Sequence, residues 1–305
     1  MKVLVTGSNG LMGKSFQKIV KSKEDLNQYH FLTRHDCDLT DYKSVNAIFE
    51  KINPDVIIHF ASGVGGVYEN MSNNYNLFIN NTRINTNIVD ACNLYKVKKL
   101  VNILSTCIFP DKNVSYPLTF DQIHNGAPHE SNYGYAYSKR VLHIGSQLLK
   151  ESGCTVINFI PTNLYGENDN YNIKKAHVIP AIIHKVYNAI KNDTDLIING
   201  SGNALRQFLY ADDLSNIIYS KLDSTESNDY IISPPPSSEI SIKELVNMIV
   251  KIFDFKGKVI YNSSDSDGQM KKTASSDLEY EFTNLYDGLI STMTYFVEKY
   301  DDLRI

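Results

Sequence analysis

Five times in this chain a tyrosine stands four residues before a lysine: Tyr95/Lys99, Tyr135/Lys139, Tyr171/Lys175, Tyr187/Lys191 and Tyr295/Lys299. On a helix, that spacing sets a phenol and an ammonium one turn apart on the same face. The cation favours the phenolate and draws the phenol down from its usual ~10, so that it trades protons near neutrality. Spacing alone does not choose among the five, and four of them read as surface pairs. Context favours Tyr135/Lys139. It follows an apolar run, residues 100–105, that ends in Ser105-Thr106-Cys107. At the C-terminal edge of a sheet, that ending would set a hydroxyl beside the phenol to bind a substrate oxygen. Tyr133 and Tyr137 read as packing residues.

A second group of residues is suited to phosphate. The first apolar run leads into Gly7-Ser8-Asn9-Gly10-Leu11-Met12-Gly13. Glycines at this spacing permit a tight strand-to-helix turn and let backbone N–H groups approach a pyrophosphate at the positive end of the helix. The motif follows the first strand and opens the first helix, which is the context a dinucleotide site needs. An NAD site usually carries Asp or Glu at the end of the second strand. Here that end reads Phe31-Leu32-Thr33-Arg34. Arg34 is suited to a 2′-phosphate, which favours NADP(H) over NAD. Asp38 and Leu39 could flank the adenine, Asp38 accepting from its amino group.

These residues need a scaffold, and the apolar pattern supplies one. Residues 3–6, 29–33, 55–61, 100–105 and 155–160 read as strands. Residues 11–20, 42–52, 75–94 and 133–150 read as helices between them. The run DVIIHFA at 55–61 is unbroken, as in a central strand buried on both faces. This rhythm predicts an α/β fold, a Rossmann-like doubly wound parallel sheet, with a smaller C-terminal lobe. The first lobe is placed at 1–165, with segments near 206–235 able to return to it, and the substrate lobe at 166–305. Residues 163–175 read as loop, 177–190 and 242–253 as helices, and 196–198 as a strand.

Composition narrows the function class. Of 305 residues, 42% are hydrophobic and 21% charged, the mix of a globular protein rather than a disordered one. A formal net charge of −4 leaves no general basic field for nucleic acid. No apolar run approaches the roughly 18 residues that span a bilayer. The opening Met1-Lys2-Val3-Leu4-Val5 leaves no room for a signal peptide. Cys37, Cys92, Cys107 and Cys154 are scattered and form no C-x-x-C pair, which argues against a disulfide framework or a metal site and for a cytoplasmic protein.

Taken together, the strings VTGSNGLMGK, NPDVIIHFAS, STCIFPDK, HNGAPHESNYGYAYSKR, IPTNLYG, HVIPAIIHK, LRQFLYADDL and SDGQMKKTAS resemble the extended short-chain dehydrogenase/reductases along essentially the whole chain. Within them the chain is similar to the GDP-L-fucose synthase group. Those enzymes epimerise C3 and C5 of GDP-4-keto-6-deoxy-D-mannose and then reduce C4 with NADPH. The resemblance implies that Cys107 and His177 exchange the C3 and C5 protons. It implies Tyr135 as proton donor to O4, Lys139 tuning it and holding the nicotinamide ribose, and Ser105 bonding the carbonyl oxygen. It carries Pro161, Asn163, Leu164 and His177 to the cofactor as well. For the GDP moiety it points to Asn163, Lys185, Arg206, Asp267 and Lys272, with Lys271 an alternative to Lys272. It also implies a homodimer through helices near 75–94 and 133–150. Two departures stand out: Glu167-Asn168 replace a usual Pro-His, and Asn199 stands where some members carry Trp. A nucleotide-sugar 4-epimerase or a dehydratase on the same fold, and a non-catalytic NADP-binding protein, are the competing readings. A dehydratase would want an acidic pair where Thr106-Cys107 stands.

Overall fold

The computed structural model describes every residue except Arg304. The chain runs β1 (Lys2–Thr6), α1 (Leu11–Lys21), β2 (Gln28–Phe31), α2 (Tyr42–Ile52), β3 (Val56–His59), α3 (Val67–Ser72), α4 (Asn74–Leu94), β4 (Lys99–Ile103), α5 (Tyr133–Glu151) and β5 (Thr155–Pro161). It continues through β6 (Asn163–Tyr165), α6 (Val178–Asn192), β7 (Leu196–Asn199), β8 (Leu205–Arg206), β9 (Phe208–Tyr210), α7 (Ala211–Ser220) and β10 (Asn228–Ile232). β11 (Ile240–Ser241), α8 (Ile242–Ile252), β12 (Val259–Asn262) and α9 (Leu285–Glu298) complete it.

Six strands form one sheet in the order β10-β5-β4-β3-β1-β2, every neighbouring pair parallel. Side chains alternate between two cores, as the two-residue strand period requires. Val3, Val5, Val56, Ile58, Val101 and Ile157 pack beneath Phe16 of α1 and Leu214 and Ile218 of α7. Leu4, Ile57, Leu100 and Val156 face Val45 and Phe49 of α2 and Ile88 of α4. The chain leaves β1 outward to β2 and then crosses back to β3. Their C-terminal ends therefore flank a switch point, where α/β folds bind ligands.

The run predicted as a strand over 55–61 stops at His59. The Ala61 N–H donates to the Thr6 hydroxyl (3.2 Å) instead of extending the ladder, and the backbone lifts off over Gly7. The stretch 163–175, expected as loop, opens with β6, which pairs with β9. Helices α3, α7 and α9 were not in the sequence reading. A separate core lies away from the sheet: Ile179, Ile183 and Val186 of α6 meet Leu245 and Ile249 of α8 and Leu289, Met293 and Phe296 of α9. Local signals set helix ends there. Ser241 and Glu244 form a capping box on α8, and the Asn284 side chain accepts from Tyr286 N on α9. Among the described residues, no helix is long and apolar enough to cross a membrane.

Candidate active site

The turn after β1 sets backbone directly against backbone. Gly7 has φ +68°, and a Cβ there would lie 2.7 Å from Ala61 N. A Cβ on Gly13 would lie 2.4 Å from the Gly7 carbonyl, so α1 rests directly on the turn. Gly10 is the N-cap of α1 and donates to Gly7 O at 3.0 Å. No side chain caps this helix and no acid stands in its first turn, which leaves its positive end for an anion. Ser8 is buried; it bonds Leu32 O through its N–H (3.1 Å) and Val5 O through its hydroxyl (3.0 Å). Asn9 is exposed, Leu11 half-buried and Met12 buried beside it.

Past β2, Asp36 turns back to accept from Thr33 N (2.8 Å) and Thr33 Oγ1 (2.7 Å), so it does not face the strand end. Arg34 is exposed there. Asp38 accepts from the Thr40 N–H and hydroxyl, and these bonds, with the Arg34 charge, hold its carboxyl below the usual range. The Leu39 carbonyl accepts from Asn87 of α4 at 2.9 Å. A cradle that a Cβ would fill, a helix N-terminus without an acid and a free guanidinium at the strand end suit a dinucleotide with a 2′-phosphate.

Ser105 follows β4 and caps a short turn, its hydroxyl accepting from Cys107 N at 3.2 Å. Tyr135 and Lys139 enter from the first turns of α5, both buried. Hydroxyls of Ser105 and Ser62 bond the Tyr135 side chain. Lys139 Nζ donates to Ile103 O (2.8 Å) and stands 5.8 Å from the centre of the Tyr135 ring. Burial draws Lys139 down to about 8. Tyr135 does not behave as its spacing predicted. Burial, and then the neighbouring Cys107 charge, push its phenol above its usual value, outweighing the two serine hydroxyls. The lysine's hydrogen bond goes to a carbonyl rather than to the phenol, so desolvation decides.

Behind Lys139 lies a buried relay that the sequence reading missed. Thr6 Oγ1 bonds His59 Nδ1 (2.8 Å), His59 Nε2 bonds Asn85 Oδ1 (3.2 Å), and Asn85 Nδ2 donates to Ser138 O (3.0 Å). Burial, with the Lys139 charge, holds His59 neutral, down to about 3. Because Asn85 Oδ1 only accepts, the Nε2 atom of His59 carries its proton.

Cys107 Sγ lies 3.2 Å from Lys272 Nζ. Burial pushes the thiol up, but the Lys272 charge and hydrogen bonds from Ser105, Lys272 and Asn132 outweigh it and leave the thiol below its ordinary value. His177 is the N-cap of α6, though its side chain makes no capping bond. Burial, and then the Lys272 charge, hold it down to about 4, so it is neutral at pH 7. Arg206 is buried, with Nη1 donating to Leu205 O (2.7 Å); desolvation lowers it while the Cys107, Glu239 and Asp267 charges support its cation. Asp267 accepts from Ser201 N and Ser201 Oγ, both at 2.7 Å.

Other expected residues stand further apart. Lys185 Nζ donates to Ile197 O (3.2 Å) and to Asn199 Oδ1, and Asn199 Nδ2 donates to Asp265 (2.8 Å). Asn163 Nδ2 donates to Gln207 O (2.9 Å) and ties β6 to the strand beside it. Pro161 ends β5, and Leu164 is half-buried in β6. Glu167 reaches across to α1: its carboxylate is 3.4 Å from Lys18 Nζ, which also pairs with Asp212 at 2.7 Å. Asn168 accepts from Tyr295 OH (2.8 Å). The remaining four tyrosine–lysine spacings are not all surface pairs. Tyr171 is fully buried and Lys99 is buried in β4. Asn132 and Ser62 were not singled out from sequence, although both fall inside the strings quoted above.

The family described as "NAD dependent epimerase/dehydratase family" matches residues 3–233. The chain is 42% identical to the GDP-L-fucose synthase of Dictyostelium discoideum, over 99% of this chain and 97% of that protein. It is 32% identical to the GDP-L-colitose synthase of Yersinia pseudotuberculosis, over 99% and 100%. The crystal structure of a GDP-L-fucose synthetase from Naegleria fowleri bound to NADP superposes with a TM-score of 0.92 at 34% identity, covering 100% of this chain and 96% of that one. With its parallel sheet, glycine turn and Ser105/Tyr135/Lys139 cluster, the chain belongs to the NAD dependent epimerase/dehydratase family, on its GDP-L-fucose synthase branch.

Proposed function

We propose that this chain is the bifunctional 3,5-epimerase and NADPH-dependent 4-reductase that converts GDP-4-keto-6-deoxy-D-mannose to GDP-L-fucose. One observation carries the reading: a reductase pair, Tyr135/Lys139, shares its site with the Cys107 thiol, which a simple reductase has no use for. The 4-keto group acidifies C3 and C5. Cys107, with its thiol below the ordinary range, and His177, neutral at pH 7, are the groups suited to exchange those protons. A bound dinucleotide supplies the hydride for C4. Tyr135, kept protonated by burial, gives its proton to O4 in that step, and Ser105 and Ser62 hold the oxygen in place. Each step develops negative charge on the same O4, so one set of donors serves all of them. Lys139 holds the nicotinamide ribose. The glycine turn takes the pyrophosphate and Arg34 the 2′-phosphate, with Asp38, Leu39, Pro161, Asn163 and Leu164 lining the rest.

Arg206, Asn163, Lys185 and Asp267 are assigned to the GDP moiety, the buried Arg206 cation meeting the diphosphate. The cofactor lobe comprises residues 1–165 and returns near 206–235, and the rest is mainly substrate lobe. The chain acts in the cytoplasm as a homodimer. Support for the dimer is the apolar face left on α4 and α5, where Tyr75, Tyr133, Ile144 and Leu148 are exposed. The test mixes the protein with NADPH and GDP-4-keto-6-deoxy-D-mannose, follows nicotinamide absorbance and identifies the sugar. GDP-L-fucose supports the reading. Only the unepimerised 6-deoxy sugar would make the protein a simple reductase and remove the roles of Cys107 and His177.

A further inference from the structure

Two lysines stand side by side near the end of the chain, and their surroundings differ. Lys271 is partly exposed, pairs with Glu239 at 3.7 Å and lies over the Tyr116 ring at 5.1 Å. Lys272 is buried, 9% exposed, and its ammonium donates to Cys107 Sγ at 3.2 Å. Among the described residues, no carboxylate lies within 4 Å of it. A buried ammonium whose hydrogen-bond partner is a sulfur gains most when that sulfur is a thiolate.

We propose that Lys272 is a positioning residue whose task is to hold Cys107 as a thiolate, so that Cys107 enters the epimerisation as the proton acceptor. The inference rests on the reaction proposed above. It replaces the simpler assignment of Lys272 to the GDP diphosphate, which Arg206 is placed to meet. The groups around the thiol agree with it. The Ser105 and Asn132 side chains also favour the ionised sulfur, the Arg206 cation faces it from β8, and Tyr135 is a neutral phenol on α5. His177 faces Lys272 from α6 and is neutral, so it does not compete for the role of cation. In the step itself, the C–H bond next to the keto group breaks and its electron pair moves onto O4. The proton passes to the sulfur and makes the Cys107 thiol. Lys272 keeps its own proton and is a counter-charge throughout.

The test reads the thiol directly. Wild-type protein, Lys272→Met and Lys272→Arg are treated with iodoacetamide from pH 5 to 10, and alkylation of the Cys107 peptide is followed by mass spectrometry. Burial raises the thiols of Cys37, Cys92 and Cys154, which makes them internal controls. The expected result is a wild-type Cys107 midpoint below the free-thiol value of ~8.5. Lys272→Met should move the midpoint upward and slow alkylation at pH 7 by about tenfold or more, since the thiolate fraction falls about tenfold for every pH unit the midpoint climbs. Lys272→Arg should restore most of the rate. A wild-type midpoint at or above the free-thiol value overturns the proposal, whatever the variants do, and so does an unshifted Lys272→Met profile. Labelling needs neither substrate nor cofactor, so the two readings fail separately. A shifted profile without turnover of the keto sugar would sink the reaction, and turnover with an unshifted profile would sink the role of Lys272.

Discussion

Replacing Gly13 by alanine is a sharp test of the cofactor cradle. The residue lies in the first turn of α1, where alanine suits the helix, so any loss must come from contact rather than conformation. The new Cβ would sit 2.4 Å from Gly7 O, 2.5 Å from Ser8 Cα and 2.7 Å from Ser8 C, where ordinary contacts begin at 3.4 Å. All three atoms are backbone, so no side chain can swing aside, and the turn must retreat by about 1 Å. Overpacking of this kind costs roughly 1–3 kcal/mol of stability. The larger effect falls on the pyrophosphate, whose bonds to the turn's amides are charge-assisted and worth roughly 1.5–3 kcal/mol each. Losing the alignment of one of them weakens NADPH about 10- to 100-fold. Gly10→Ala is the control. Its Cβ meets only Gly7 O, at 3.3 Å, and should cost about 1 kcal/mol or less. NADPH titration by fluorescence measures the affinities. Thermal melts with NADPH at about 100 times the wild-type Kd should show roughly 2.7 kcal/mol of stabilisation in the wild type and roughly 0.4–1.4 in Gly13→Ala. A Gly13→Ala protein that binds NADPH within twofold of wild type would refute the argument that backbone contact shapes this site.

Tyr135→Phe should bind NADPH normally and lose about 10²- to 10⁴-fold in kcat for reduction, since the proton donor to O4 is gone; an unchanged kcat sinks the assignment. Lys139 is protonated less readily when folded, about 8 against 10.5 unfolded. The unfolded chain therefore binds more protons in that window, and stability should rise by about 3 kcal/mol between pH 8 and 10.5. Lys139→Met should lack that rise in denaturant titrations across the window. His59, held down to about 3, works at the acid end: stability should fall by about 4–5 kcal/mol as pH drops from 6.5 to 3, and His59→Gln should flatten the fall. For the dimer, light scattering should give twice 34.5 kDa for the wild type and the single value for Ile144→Glu combined with Leu148→Glu; wild-type monomers would remove that proposal.

The parallel sheet and the glycine turn were legible because their signals are local. An apolar run, a glycine spacing and a helix start lie within a few residues of one another. The Tyr135/Lys139 pair was legible only in part. Its spacing recurs four times elsewhere, and its environment comes from strands that no spacing reveals. The direction in which Tyr135 moves was misjudged for the same reason, since burial is a property of the assembled fold. The contact between Lys272 and Cys107 spans 165 positions and leaves no local trace. Glu167, a departure from the family's usual Pro-His, is turned to Lys18 and braces α1. β6 and β10 were missed because short strands in polar company carry little periodicity.

The position of β10 has a consequence for how the chain can be cut. β10 lies beside β5 and is the outermost strand on that side, yet the whole stretch from Thr162 to Ser227 separates them in sequence. A chain severed before Asn228 would leave β5 as an open edge, with Ile157, Phe159 and Ile160 now lining it. It would also lose Asp229, whose carboxylate accepts from Asn158 (2.8 Å) and Gln147 (2.6 Å) and lies 3.1 Å from His143. Such an edge, apolar and with unpaired amides, is a template for another copy of itself. Fragments ending before Asn228 should therefore aggregate.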